Sequence, residues 1–146
     1  MKAILLCLLI GLTLSYSTSG ALSYAKKHCN NYNTKYIKYD GKDCANFVSQ
    51  CMHEGGGQDF SGCGGKDSKG MIPGVSNLKS CLKSKGWKSS GTKPKSFVAG
   101  YPVFVKSYSH AMLAGGFSGN NILVYSHTND RCNTAFEASK LDFYYK

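Results

Sequence analysis

Asp43 to Gly57 reads D-C-A-N-F-V-S-Q-C-M-H-E-G-G-G. Apolar side chains at Ala45, Phe47, Val48, Cys51 and Met52 recur with the 3.6-residue period of a helix. Asp43 is a helix-capping residue type and Gly55 a stopping one, so the spacing predicts a short helix that begins at or next to Cys44. A cysteine at that position lies at the positive end of the helix dipole, where a thiolate is favoured over a thiol. The Asp43 carboxylate next door opposes that charge. A histidine from elsewhere in the chain has to tip the balance.

Outward from this stretch, the 146 residues make one domain with room for an ordinary core. Met1-Lys2 and the apolar run from Ala3 to Leu14 have the pattern of a secretory signal peptide, too short for a membrane anchor. The small residues from Ser15 to Ala21 place cleavage between about Ser17 and Ala21, which sets a leader over 1–20 and a domain over 21–146. No later segment is apolar for long enough to span a bilayer, so the mature protein is expected to be secreted and extracellular, or in the lumen of a secretory or digestive compartment. An exported domain admits disulfides. With Cys44 kept free and Cys51 read as a buried thiol on the same helix face, Cys29, Cys63, Cys81 and Cys132 remain, with three connectivities. Cys63–Cys81 with Cys29–Cys132 is the preferred one; a framework in which all six mature cysteines pair is the alternative. The net charge of +10 points to anionic polymers as partners, such as a bacterial envelope, acidic glycans or stray nucleic acid, or simply to solubility.

Residues from Ala21 to Asn30 carry a helical stripe. Gly55 to Ser76 is polar and glycine-rich, a loop with Cys63 inside it. From Lys66 to Lys95 eight lysines face one acid, Asp67; within this part Val75 to Gly86 suits a short helix. Trp87 among these lysines is a candidate for stacking on a sugar or base, though a buried aromatic is the commoner role. From Phe97 the pattern turns to strands: Val103–Val105, His110–Ala114 and Ile122–Tyr125, with Ala135 to Tyr145 closing the sheet. A hairpin turn centred between Ser118 and Gly119 sets His110 opposite His127.

A cysteine at a helix start, a histidine at a strand and a polar group on the next strand form the order of a papain-like cysteine hydrolase. The thiolate attacks an amide carbonyl, the imidazole carries the proton to the leaving amine, and a third group fixes the ring tautomer. A zinc site from the same residue types lacks C-x-x-C or H-x-x-x-H spacing.

Tyr24-Ala25, Asn33 to Tyr36, Asp43 to Gln50 and Gly55-Gly56, followed by Ser109 to Leu113 and Tyr125 to Arg131, resemble the Y-A, N-P-x-Y, D-C-T-N-F-V-S-Q, G-G, D-H-V-A-I and S-Q-H-T-x-D-R stretches of the putative amidase domain family. That family is similar in turn to the NlpC/P60 and CHAP cysteine peptidases and amidases of peptidoglycan. Thr34 replaces the family's Pro, Ser109 its Asp, and Tyr101-Pro102 interrupts its G-D-V. The resemblance implies an α+β papain-like single domain, with N-terminal helices packed on a small antiparallel sheet. It implies Cys44 as nucleophile and His110 as general base. His127 is the preferred third member, with Asn129 and Asp130 as alternatives. Asp43 and Asn46 cap the helix or touch the substrate's amine; Trp87 and Asn129 complete the candidate substrate-binding set. The expected function is a secreted amide hydrolase, amidase or endopeptidase, acting on bacterial peptidoglycan as a monomer with no metal or organic cofactor. Two alternatives stand beside it: a cationic wall-binding or antimicrobial module, and a cysteine peptidase acting on ordinary protein.

Overall fold

The computed structural model describes residues 15–146; the apolar core of the expected signal peptide lies outside the described residues. Helix α1 spans Thr18–His28, its first turn closed by Ser17 Oγ, which accepts from the Gly20 N–H at 3.0 Å. Lys26, Lys27 and His28 sit in its last turn, where positive charge suits the helix dipole. Helix α2 covers Cys44–Gln50 and continues as a π-helical turn over Cys51–Gly55, so the chain stays helical up to the glycine expected to stop it. Helix α3 is Val75–Ser84.

Every residue of α2 is buried, not only its apolar stripe. Its polar members are paired inside the protein. Ser49 Oγ donates to the Asn46 carbonyl at 2.8 Å and accepts the Ile72 N–H at 3.1 Å, while Gln50 Oε1 accepts the Tyr24 hydroxyl at 2.8 Å. The π-helical turn lies hard against α1 because glycines face each other there. A Cβ on Gly20 would meet the Gly55 carbonyl oxygen at 2.1 Å, and one on Gly55 would meet the Gly20 oxygen at 2.5 Å.

Six antiparallel strands form one sheet: β1 Lys88–Ser90, β2 Pro102–Val105, β3 Ala111–Ser118, β4 Asn121–Ser126, β5 Arg131–Glu137 and β6 Leu141–Tyr145, in the order β1-β6-β2-β3-β4-β5. Side chains alternate between two cores. Phe104, Leu113, Tyr125 and Tyr144 join the helices; Val103, Met112, Val124 and Phe143 pack with Phe97 on the opposite side. The fold is α+β, as the sequence predicts. Residues 135–145 are two strands joined by a short 3-10 turn at Ala138–Lys140, and the last strand inserts between β1 and β2 rather than simply extending the edge.

Two disulfides, Cys29–Cys132 and Cys63–Cys81, form the preferred pairing. Cys44 and Cys51 are free and buried, and burial pushes the Cys51 thiol well above its ordinary value.

The start of α1 differs from the expected domain boundary. Tyr16 donates its hydroxyl to the Gly100 carbonyl at 2.6 Å and meets Trp87 edge-on at 5.1 Å. Residues 16–20, assigned from sequence to the leader, thus belong to the packed fold.

Candidate active site

Cys44 is the first residue of α2 and His110 immediately precedes β3. Backbone pairing fixes the histidine, whose carbonyl accepts the Val105 N–H at 3.0 Å. Both side chains line one cleft of about 390 Å³, walled by Lys42 on the approach to α2, Pro73 to Val75 at the start of α3, Ser109 and Thr128. A nucleophile type and a proton-acceptor type from distant parts of the sequence therefore share one opening.

His110 is buried, and its Nε2 accepts from Arg131 Nη1 at 3.2 Å. Arg131 also reaches Ser126 Oγ at 3.5 Å. Burial first, and the Arg131 charge second, pull His110 from 6.5 down to about 4. The ring is neutral at neutral pH. Arg131 and Ser126 are contacts the sequence reading did not anticipate. Their signal lay in the strand register.

Register also relocates His127. The β3–β4 turn is Gly119-Asn120, since Ser118 pairs with Asn121, and an irregularity between Ala114 and Phe117 takes up one residue. Beyond it Leu113 faces Tyr125. Carried on along both strands, this register sets Thr128 across from His110. A one-residue slip turns a side chain to the other face, so His127 points away from His110 into the helix-side core. It is 1% exposed. Its Nδ1 meets Asp43 Oδ2 at 2.5 Å and its Nε2 meets the His28 carbonyl at 2.8 Å. The structure does not bring it to the expected base.

Asp43 precedes α2 but its side chain makes no capping bond to the helix. Oδ1 accepts the Tyr39 N–H and Asn46 Nδ2, both at 2.9 Å, and Oδ2 faces His127. These contacts replace the expected cap and occupy the groups proposed to meet a substrate amine. Asn46 donates also to the Ile37 carbonyl at 2.7 Å, while its buried Oδ1 has no partner among the described residues. Asn129, with a left-handed backbone at φ 57°, lines a neighbouring hollow with Tyr32, Lys38, Asp40 and Asp130 rather than the Cys44 cleft. Asp130 accepts the Tyr32 hydroxyl at 2.6 Å.

Trp87 is 3% exposed; its Nε1 donates to Gln58 Oε1 at 2.9 Å, and Tyr16 and Tyr101 meet it edge-on. Packed in this way, it has no free face for a sugar or base, which corrects its place among the substrate-binding candidates. Among the described residues no three His, Cys, Asp or Glu side chains are grouped as metal ligands would be.

Comparison with known proteins agrees with this architecture. The family model described as "Putative amidase domain" matches residues 15–100, and the chain belongs to that family. An uncharacterized protein of Bacillus subtilis (strain 168), YhbB, is 41% identical over 46 residues, a segment covering 32% of this chain and 14% of that protein. Two crystal structures of Ly7917 are similar in fold. The one with the hydrolyzing product of MDP gives a TM-score of 0.58 at 15% identity, over 88% of this chain and 62% of the other; the second gives 0.56 at 16%, over 88% and 61%. The chain thus spans under two thirds of the length of these relatives.

Proposed function

We propose that the protein is a secreted cysteine hydrolase that cleaves amide bonds in bacterial peptidoglycan. The observation that carries this reading is the shared cleft of Cys44 and His110 in a chain of the amidase family. In the proposed reaction the Cys44 sulfur attacks the amide carbonyl, and its proton reaches the leaving amine by way of His110. Water then releases the acyl group. In this reading the Cys44 N–H, which precedes the first intrahelical bond from Phe47 N–H to the Asp43 carbonyl, receives the developing oxyanion. Ly7917, crystallised with the hydrolyzing product of MDP, a peptidoglycan fragment, supports the substrate class by likeness of fold.

Two disulfides and the apolar N-terminal run support export. Because Tyr16 and Ser17 hold the start of α1, the mature chain begins at or before Tyr16 rather than at Ala21. The cationic surface draws the enzyme to anionic envelopes, an attraction that weakens with salt.

The test is release of soluble muropeptides from purified walls. Cys44→Ala, shown to be folded by its thermal transition, is expected to lose at least about 10³-fold in rate. Wall clearance by that variant at the wild-type rate overturns the reading in favour of a binding module. Cleavage of unfolded casein in preference to walls points to an ordinary protein substrate.

A further inference from the structure

His127 and Asp43 form a buried pair that the proposed reaction does not use, although Asp43 is bonded directly to the nucleophile's residue. The neighbours of the pair limit which atoms can donate and which accept. The His28 carbonyl can only accept, so Nε2 of His127 must carry a hydrogen to make that 2.8 Å contact. On the other side, Nδ1 faces Oδ2 of a carboxyl group whose second oxygen already accepts two N–H donors, from Tyr39 and Asn46. Those donors stabilise an ionised carboxylate, which is an acceptor only. An ionised carboxylate opposite Nδ1 requires that second ring nitrogen to donate as well, which is the imidazolium form.

The remaining surroundings suit a cation. The ring lies between Tyr32 and Phe47, with centroids at 3.8 and 3.9 Å and nearly parallel planes, so aromatic faces cover both sides. The His28 carbonyl belongs to the last turn of α1, the negative end of that helix. Asp130 is two residues beyond Thr128 and bonds the Tyr32 hydroxyl. Lys38 lies over the outer part of this stack, 4.4 Å from the Tyr32 ring centroid. Thr128 Oγ1 accepts the Asp43 N–H at 3.0 Å and ties the turn after His127 to the residue before Cys44.

We propose that His127 is a positioning residue, held as a buried imidazolium that cancels the Asp43 charge beside Cys44 and so sets the reactivity of that thiol. It acts on the nucleophile through Asp43, not on His110. Without it, an uncompensated buried carboxylate would stand one residue from the nucleophile and oppose formation of a thiolate. The pair also keeps the Asp43 side chain turned away from the start of α2. This inference deepens the proposed thiol mechanism, yet its test needs no substrate, so a wrong assignment of peptidoglycan leaves it intact.

The measurement is the pH dependence of Cys44 alkylation by iodoacetamide, with peptide mass mapping to score Cys51 separately. His127→Gln is expected to move the pH of half-maximal reactivity upward by about one unit or more. Adding Asp43→Asn to that variant is expected to return it most of the way, since no carboxylate then remains to be cancelled. An unmoved profile in His127→Gln, or a double variant no different from the single one, overturns the proposal. Should His127→Gln fail to fold, nitrogen-15 NMR of histidine-labelled wild-type protein at neutral pH decides the matter. Two protonated ring nitrogens on His127 support the proposal, and a single protonated nitrogen overturns it.

Discussion

His110 and His127 sit at neighbouring strand ends, yet the protein treats them in opposite ways. His110 opens onto the Cys44 cleft, has a guanidinium against one nitrogen, and is held neutral by burial and by that charge. His127 is sealed between two aromatic rings with an oxygen acceptor on each nitrogen. One ring is held neutral at the edge of an opening; the other is enclosed between aromatic faces and oxygen atoms. Residue type is shared; donors and acceptors decide the role. The same contrast runs through α2, where Cys44 faces the opening and Asp43, one residue earlier, faces the core.

Substitution at His110 breaks the comparison most severely. His110→Ala is expected to reduce wall hydrolysis by at least about 10³-fold while leaving the fold intact, whereas His127→Gln weakens the reaction chiefly near neutral pH and recovers as pH rises. Rate–pH profiles of both variants separate the two behaviours.

The Cys29–Cys132 bridge supports both histidines, since it joins the residue after His28 to the residue after Arg131 and closes a separation of 103 residues. The C29S/C132S variant is expected to lose about 3–4 kcal/mol of stability in denaturant titration. A chain that begins at Ala21 lacks the Ser17 cap and the Tyr16 contacts and is expected to be about 2 kcal/mol or more less stable than one that begins at Ser15.

Proton uptake by His110 also ties the stability of the fold to pH. Unfolded chains bind a proton at His110 near 6.5, the folded protein only near 4. Stability from this group is therefore present above 6.5 and lost progressively as pH falls towards 4. Thermal transitions measured across that window should fall on acidification less steeply in His110→Gln than in wild type. The smallest effect belongs to Arg131→Gln. Removing the second of the two causes is expected to move the acid limb of the rate profile upward by part of the gap between about 4 and 6.5, because burial persists.

Much of this was legible in the sequence because it depends on local period and residue type. The helix beginning at Cys44, the helical stop at Gly55 and the strand runs follow from patterns within a few residues; cysteine arithmetic left three connectivities, of which the structure holds the preferred one. The position of His127 did not, since facing depends on summed register. A hairpin turn displaced to Gly119-Asn120 and an irregularity near Gly115-Gly116 together leave a one-residue offset that strand patterns alone do not reveal. Trp87 was misleading for a related reason: the adjacent Lys88 is exposed, while the Trp87 ring turns into the core beside Tyr16 and Gln58. Strand β1, Lys88–Ser90, lacks any apolar alternation because only pairing with β6 holds it. The Arg131 contact to His110 depends on Arg131 pairing with Ser126 across β4 and β5, a partnership between residues separated by a four-residue turn that contains two left-handed positions.

The most direct test of the account is to alkylate Cys44 to completion, confirm the site by mass mapping, and measure muropeptide release by the same sample. Hydrolysis is expected to fall in proportion to Cys44 labelling and to vanish when labelling is complete. Undiminished hydrolysis by fully labelled protein would contradict it.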